Sequence, residues 1–162
     1  MKRSFILQDL SPFSINSTNC VVNGRLIKTS AARNWQMQVF HRLSTKQNEK
    51  MFDELRAYFK PATHYFAVEI LVAYPASDFY TKKKMISAHT MDVSNFEKNL
   101  VDCFFLPKYA QREAPQGCKN LQIDDKYICS LKSEKRVTSS DSNPSIRLSI
   151  EILPLSGVEL SI

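Results

Sequence analysis

Hydrophobic and polar positions along this chain change their period from segment to segment, and the order of those periods predicts an α/β arrangement without internal repeats. Ser4 to Gln8 reads as a short strand. Val21 to Ile27 reads as a hairpin, because its Asn23-Gly24 pair supplies the positive φ angles that a two-residue turn requires. Trp35, Val39, Phe40 and Leu43 then recur at helical spacing behind a candidate cap, Ser30. Met51, Phe52, Leu55 and Tyr58 mark a second helix from about Asn48 to Phe59, ended by Pro61. His64 to Tyr74 is nearly continuous in apolar residues, as in a strand at the centre of a sheet, and its single charge, Glu69, must find solvent or a partner.

Beyond Pro75 the character becomes polar. Ser77 to Thr90, with Lys82, Lys83 and Lys84, reads as a mobile loop. A helix starting near Ser94 gathers Phe96, Leu100, Cys103 and Phe104 on one side and Asn95, Lys98 and Asp102 on the other. A second loop, Pro107 to Gln122, precedes Asp124. Two strands follow, Tyr127 to Val137 and Ser145 to Leu153, joined by a turn over Ser139 to Pro144. In the second, Ile146, Leu148, Ile150 and Ile152 alternate with Arg147, Ser149 and Glu151, which predicts one buried and one wet face.

The length, 162 residues with 43% apolar content, supports one core, so residues 1–162 are expected to form a single domain. Lys and Arg number 22 against 16 Asp and Glu, and the pI near 9.2 suits either an anionic partner or a solvated basic surface. The opening MKRSFILQDL has too brief an apolar run for a secretory or membrane segment, so an intracellular, cytoplasmic protein without a membrane partner is expected. Cys20, Cys103, Cys118 and Cys129 show no C-x-x-C spacing, and His41, His64 and His89 form no close pair, which disfavours zinc. Cys103 and Cys129 are expected to be buried thiols in a reducing compartment. The glycines, Gly24, Gly117 and Gly157, make no P-loop, dinucleotide fingerprint or nucleophile elbow.

The residues richest in chemistry are Met91 to Asp102, MDVSNFEKNLVD, together with Asp124 and Asp125. They put carboxylates suited to a divalent cation beside a lysine, in a chain that is otherwise basic, and that combination points to chemistry on a phosphate. Plainer readings stand beside it. Ser94 and Glu97 form a capping box, and Lys98 and Asp102 form an i,i+4 pair in the less favourable direction. Asp124 and Asp125 fit an Asx-type turn before a strand, and the three loop lysines serve solubility as readily as phosphate contact.

The pattern D-x-S-N-x-x-K-x-x-x-D from Asp92 to Asp102, followed by Ile123-Asp124-Asp125 and a basic strand, resembles the RusA family of Holliday junction resolvases. That family's pattern is D-x-D-N-x-x-K-x-x-x-D with a later D-D. Ser11 to Asn16, then Gly24-Arg25 and Lys28-Thr29, is similar to the family's proline and asparagine loop and basic hairpin, so the likeness runs from about Ser4 to Leu153.

The resemblance implies a mixed, mostly antiparallel sheet packed against helices, and a Mg²⁺-dependent (or Mn²⁺-dependent) endodeoxyribonuclease acting on branched DNA. Asp92, Lys98 and Asp125 become catalytic candidates, and Asp92, Asp124 and Asp125 metal ligands. Ser94, Asn95 and Asp102 become supporting residues. Ser94 departs from the family, since a hydroxyl replaces an aspartate and removes one negative ligand. DNA is expected to meet Asn16, Arg25, Lys28, Lys82, Lys83, Lys84, Lys132, Lys135 and Arg136, mainly through phosphates. Cutting two symmetry-related strands implies a C₂ homodimer, and the family suggests a phage or prophage setting. The alternatives are a noncatalytic branched-DNA-binding protein with a degenerate metal site, or a nuclease for flaps and other branches.

Overall fold

The apolar run at the middle of the chain becomes β4, His64–Pro75, with neighbours on both sides. Its even-numbered residues, Phe66, Val68, Ile70 and Val72, are buried, while Glu69 on the alternate face is exposed. The computed structural model describes residues 1–87, 94–115, 117–139 and 142–155, with the side chains of Ile15, Leu26, Ser94, Asn95, Arg112 and Glu113 outside that description.

Four strands form the main sheet in the order β1-β6-β4-β5, with β1 at Lys2–Gln8, β5 at Ile128–Thr138 and β6 at Ser145–Pro154. β6 runs antiparallel to β1 and to β4, whereas β5 runs parallel to β4. A mixed α+β domain with a mostly antiparallel sheet is therefore the observed architecture. β2, Asn19–Val22, and β3, Arg25–Lys28, make a separate hairpin. Asn23 and Gly24 between them have φ of 51° and 72°, the positive pair expected of the Asn-Gly turn.

One face of the sheet carries Phe5 and Leu7 of β1, the even residues of β4, and Ile146, Leu148, Ile150 and Ile152 of β6, all buried. Helices α1 (Ser30–Leu43), α2 (Lys46–Tyr58) and α4 (Ser94–Phe104) supply the other half of the core. Phe5 stacks on Phe52 at 4.5 Å between ring centroids, and Phe104 meets Phe5 edge-on at 5.3 Å. Large side chains buried this way contribute about 1.5–3 kcal/mol each. The opposite face stays open. There Glu69 finds its partner in Lys2 at 2.8 Å, across the intervening β6.

Parallel strands cannot be joined by a tight turn, so the chain must cross over the sheet between β4 and β5. That connection includes the short helix α3, Ala76–Phe79, and then α4, which packs on the buried face through Phe96, Leu100, Cys103 and Phe104. The predicted apolar side of this helix is thus its core side.

Several local expectations are corrected. Thr29, not Ser30, caps α1, its side chain accepting from the Ala32 amide, and α2 begins at Lys46 behind a Thr45 cap. Ser77 to Ser87 is not featureless: α3 ends at Phe79, and an antiparallel bridge between Tyr80 and Ile86 closes a tight turn with Lys84 at φ 58°. Residues 88–90 of that expected loop lie outside the described residues, as do 140–141 of the last turn. Cys103 is buried as expected, but Cys129 is exposed, because it stands on β5 at the sheet edge.

Candidate functional site

The crossover that builds the parallel pair also builds the candidate site. α4 brings Lys98 and, one turn later, Asp102 to its polar side, and the last turn before β5 brings Asp125. The Lys98 ammonium donates to Asp102 Oδ1 at 2.7 Å and to Asp125 Oδ2 at 2.8 Å. It bridges two carboxylates from different segments.

Asp124 is fixed from two directions. One oxygen accepts from the Lys126 amide at 3.0 Å, the Asx-type cap anticipated from sequence, and the other accepts from the Tyr109 hydroxyl at 3.3 Å. Tyr109 belongs to a short 3₁₀ helix, Lys108–Glu113. These groups line a polar pocket of roughly 220 Å³, whose other side is closed by Lys28 of β3 and Gln36 of α1. Lys28 donates to Gln36 Oε1 at 3.0 Å, so its ammonium is held at the pocket wall.

Three carboxylates and two ammonium groups therefore share one small space. Burial draws the Lys98 pKa down, but its hydrogen bonds to Asp102 and Asp125, and their charges, outweigh that and hold it at about 12. Lys98 is cationic at any physiological pH. The Lys126 backbone amide and the nearby Lys126 and Tyr109 side chains keep Asp124 below the ordinary carboxylate value. The charge on Asp124 in turn pushes the Tyr109 phenol up.

An all-oxygen donor set suits a hard cation such as Mg²⁺, and among the described residues no cysteine or histidine lines the pocket. Among the described residues, however, no group of three or more Asp, Glu, His or Cys side chains converges in a metal-holding arrangement. Asp124 and Asp125 supply two carboxylates. Asp92 lies outside the described residues, and so do the side chains of Ser94 and Asn95, although the backbone of both opens α4.

The structure thus unites Lys28, Lys98, Asp102, Asp124 and Asp125, and disperses the other basic candidates. Asn16 is exposed on a 3₁₀ turn, Ile15–Ser17, which is tied to α4 through the adjoining Thr18 and the buried Asn99. Arg25 is exposed beside the hairpin turn. Lys82, Lys83 and Lys84 follow the far end of β4, whereas Asp125 adjoins the start of β5, where Ile128 pairs with Phe66. The two ends of that pairing, Phe66 and Pro75, are on the order of 30 Å apart along the strand.

Lys132 and Arg136 line a different cleft, on the open face of the sheet, where Arg136 is paired with Glu134 at 2.8 Å. Lys135 lies opposite Val72 and therefore on the other face. The basic residues of β5 are divided between the two faces of the sheet because alternate residues of one strand face opposite ways. Tyr109 and Gln36 also line the pocket, and the sequence marks neither of them by a motif. No helix among the described residues is long and apolar enough to cross a membrane.

No protein-family model matches the chain and no curated protein matches it, so the likeness to RusA resolvases rests on the residues named above.

Proposed function

We propose that this chain is a metal-dependent endonuclease that hydrolyses phosphodiesters in branched DNA of the Holliday-junction type, acting in the cytoplasm as a C₂ homodimer. One observation carries the reading: Lys98 is held between Asp102 and Asp125 in a polar pocket that also contains Asp124 and Lys28. With three carboxylates against two ammonium groups the pocket keeps a net negative charge, which disfavours phosphate unless a further cation reverses the local sign. Bound Mg²⁺ or Mn²⁺ would supply that charge and a more acidic water. Asp125 and Asp124 would be its ligands here, with Asp92 as the third, and Ser94 contributes no charge where the family has an aspartate.

The remaining roles belong to the chain's own side chains. Asp102 fixes the Lys98 ammonium, which stabilises negative charge on the phosphorane or on the departing oxygen. Lys28 contacts a phosphate of the bound strand. The test is cleavage of a mobile four-way junction, a flap and a linear duplex of matched sequence with Mg²⁺ or Mn²⁺. Junction cleavage is expected. Preference for the flap would keep the chemistry and change the substrate, and no cleavage of any of them would remove the nuclease reading.

A noncatalytic branched-DNA-binding protein is the second reading, favoured by the same ion pairs: Lys98 already engages both Asp102 and Asp125 without a metal. Calorimetric titration with Mg²⁺ and Mn²⁺ separates the two.

A further inference from the structure

Beside the polar pocket, and sharing Lys98 and Asp125 with it, runs a second cavity of quite different character. Its walls are Val101 of α4 and Ile128, Cys129 and Leu131 of β5, and its volume, roughly 450 Å³, lies within the range of small-molecule sites, about 300–1,000 Å³. It exists for two reasons. β5 is an edge strand, so its first residues extend past the helix layer, and Leu131 stays 43% exposed. The ladder is also irregular there: Phe66 pairs with Ile128 but Ala67 with Ser130, which leaves Cys129 as an extra residue without a partner on β4. A bulge of this kind re-aims a side chain, and bulges gather at sheet edges and beside active sites.

We propose that this groove is a subsite for one unpaired nucleobase, attached to the phosphate that engages Lys98. The proposal rests on the nuclease reading and adds to it how the substrate is chosen. A nucleotide joins an anionic group to a flat ring with largely apolar faces, and the two cavities offer a cation and an apolar slot across one shared border. Glu97, which also lines the groove, gives the ring edge a carboxylate to bond. A base inside a duplex is stacked on both faces, whereas one beside a branch point can lose a neighbour on one side and leaves the stack at lower cost. Specificity for branched over linear DNA then arises at the site itself.

The test uses the exposed thiol of Cys129 as a reporter. The full chain is alkylated with iodoacetamide, without divalent metal, in the presence of a four-way junction, a linear duplex or no DNA, and modification at each cysteine is read by peptide mass mapping. Cleavage of the same junction with Mg²⁺ is measured in parallel. Protection of Cys129 by the junction and not by the duplex supports the subsite. Equal protection by both overturns it, since mere coverage of that face explains the result. Cleavage without any protection also overturns it and leaves the nuclease reading standing, while neither binding nor cleavage removes both. Loss of modification with rising protein concentration in the absence of DNA assigns the groove to a second copy of the chain instead.

A second measurement needs no thiol chemistry. Removing the base next to the scissile phosphate should slow wild-type cleavage about fivefold or more, and Leu131→Gln should lose a similar factor on the intact junction but little more on the abasic one. Additive losses overturn the assignment.

Discussion

The Lys98 ammonium lies 2.8 Å from Oδ2 of Asp125, although 27 positions of chain separate the two residues. The Lys98–Asp102 pair falls within one helix and follows from spacing alone, but this contact required a strand crossover to form. Both pairs are more than a third exposed, and exposed pairs are worth only about 0.2–1 kcal/mol. Their significance is positional.

Lys98→Met should therefore fold with nearly unchanged stability and lose cleavage by at least about a hundredfold, as expected for removal of a charge that meets the transition state. Because burial is outweighed by the two carboxylates, the Lys98 pKa stands at about 12, above the ordinary 10.5. The ion-pair contribution is thus complete below 10.5 and is lost only as the pH rises toward 12. A pH–rate profile should show no falling limb from Lys98 between neutrality and 10.5. A limb in that interval that is absent from Lys98→Arg would show that Lys98 loses its proton there and would overturn its pairing with both carboxylates.

Asp125→Asn and Asp92→Asn are each expected to abolish cleavage while junction binding survives in a gel-shift measurement. Retained metal-dependent cleavage in both variants would refute the ligand assignments. Asp125→Asn also removes one of the two partners of Lys98, so its loss should exceed that of Asp102→Asn, which disturbs only the orientation of the lysine.

Tyr109 offers a spectroscopic check on the pocket. The charge of Asp124 disfavours the phenolate, and the hydrogen bond to Asp124 favours the neutral phenol, so the phenol should titrate above its ordinary 10.0. Ultraviolet difference titration of wild type against Tyr109→Phe isolates this group. Asp124→Asn should bring it back toward the ordinary value, and an unmoved midpoint would show that the hydrogen bond does not form in solution.

Lys28 and Lys132 are equal candidates for DNA contact by sequence, yet only Lys28 lines the pocket. Replacing Lys28 with Met should weaken junction binding and reduce the slope of log affinity against log salt by about 0.9, the value for one phosphate deprived of its cationic partner. Lys132→Met and Arg136→Met, on the open face of the sheet, should leave the slope unchanged. Binding measured across a salt series checks all three.

Asn99 anchors α4 from behind. Its amide donates to the Phe13 carbonyl at 3.2 Å and to Thr18 Oγ1 at 2.8 Å, and the residue is only 4% exposed. Asn99→Ala leaves those acceptors without their donor and should cost about 1–3 kcal/mol in a denaturant titration. A smaller loss would mean that the anchor forms only weakly in solution.

Local periodicity fixed most of the elements. The apolar spacing of Trp35, Val39, Phe40 and Leu43, the Asn23-Gly24 turn, the alternation from Ile146 to Ile152 and the two-sided character of α4 depend on neighbours within a few residues, and each is present in the fold. Thr29 displaces Ser30 as a cap because both hydroxyl residues satisfy the local rule, and only the observed backbone, extended at Thr29, separates them.

Local pattern did not carry which faces meet. Strand order decides that Cys129 is exposed at an edge, and the two-residue period of β5 decides that Lys132 and Lys135 face opposite ways. The edge position beside β4 could be reached only by a crossover, because β5 runs parallel to β4, and that crossover carries Lys98 to Asp125. The sequence alone supplied the acids, the lysine and the helix that presents them. Tertiary structure alone decided their distances, since the approach of residues far apart in the chain follows from the packing of the whole core and not from any one segment's preferences.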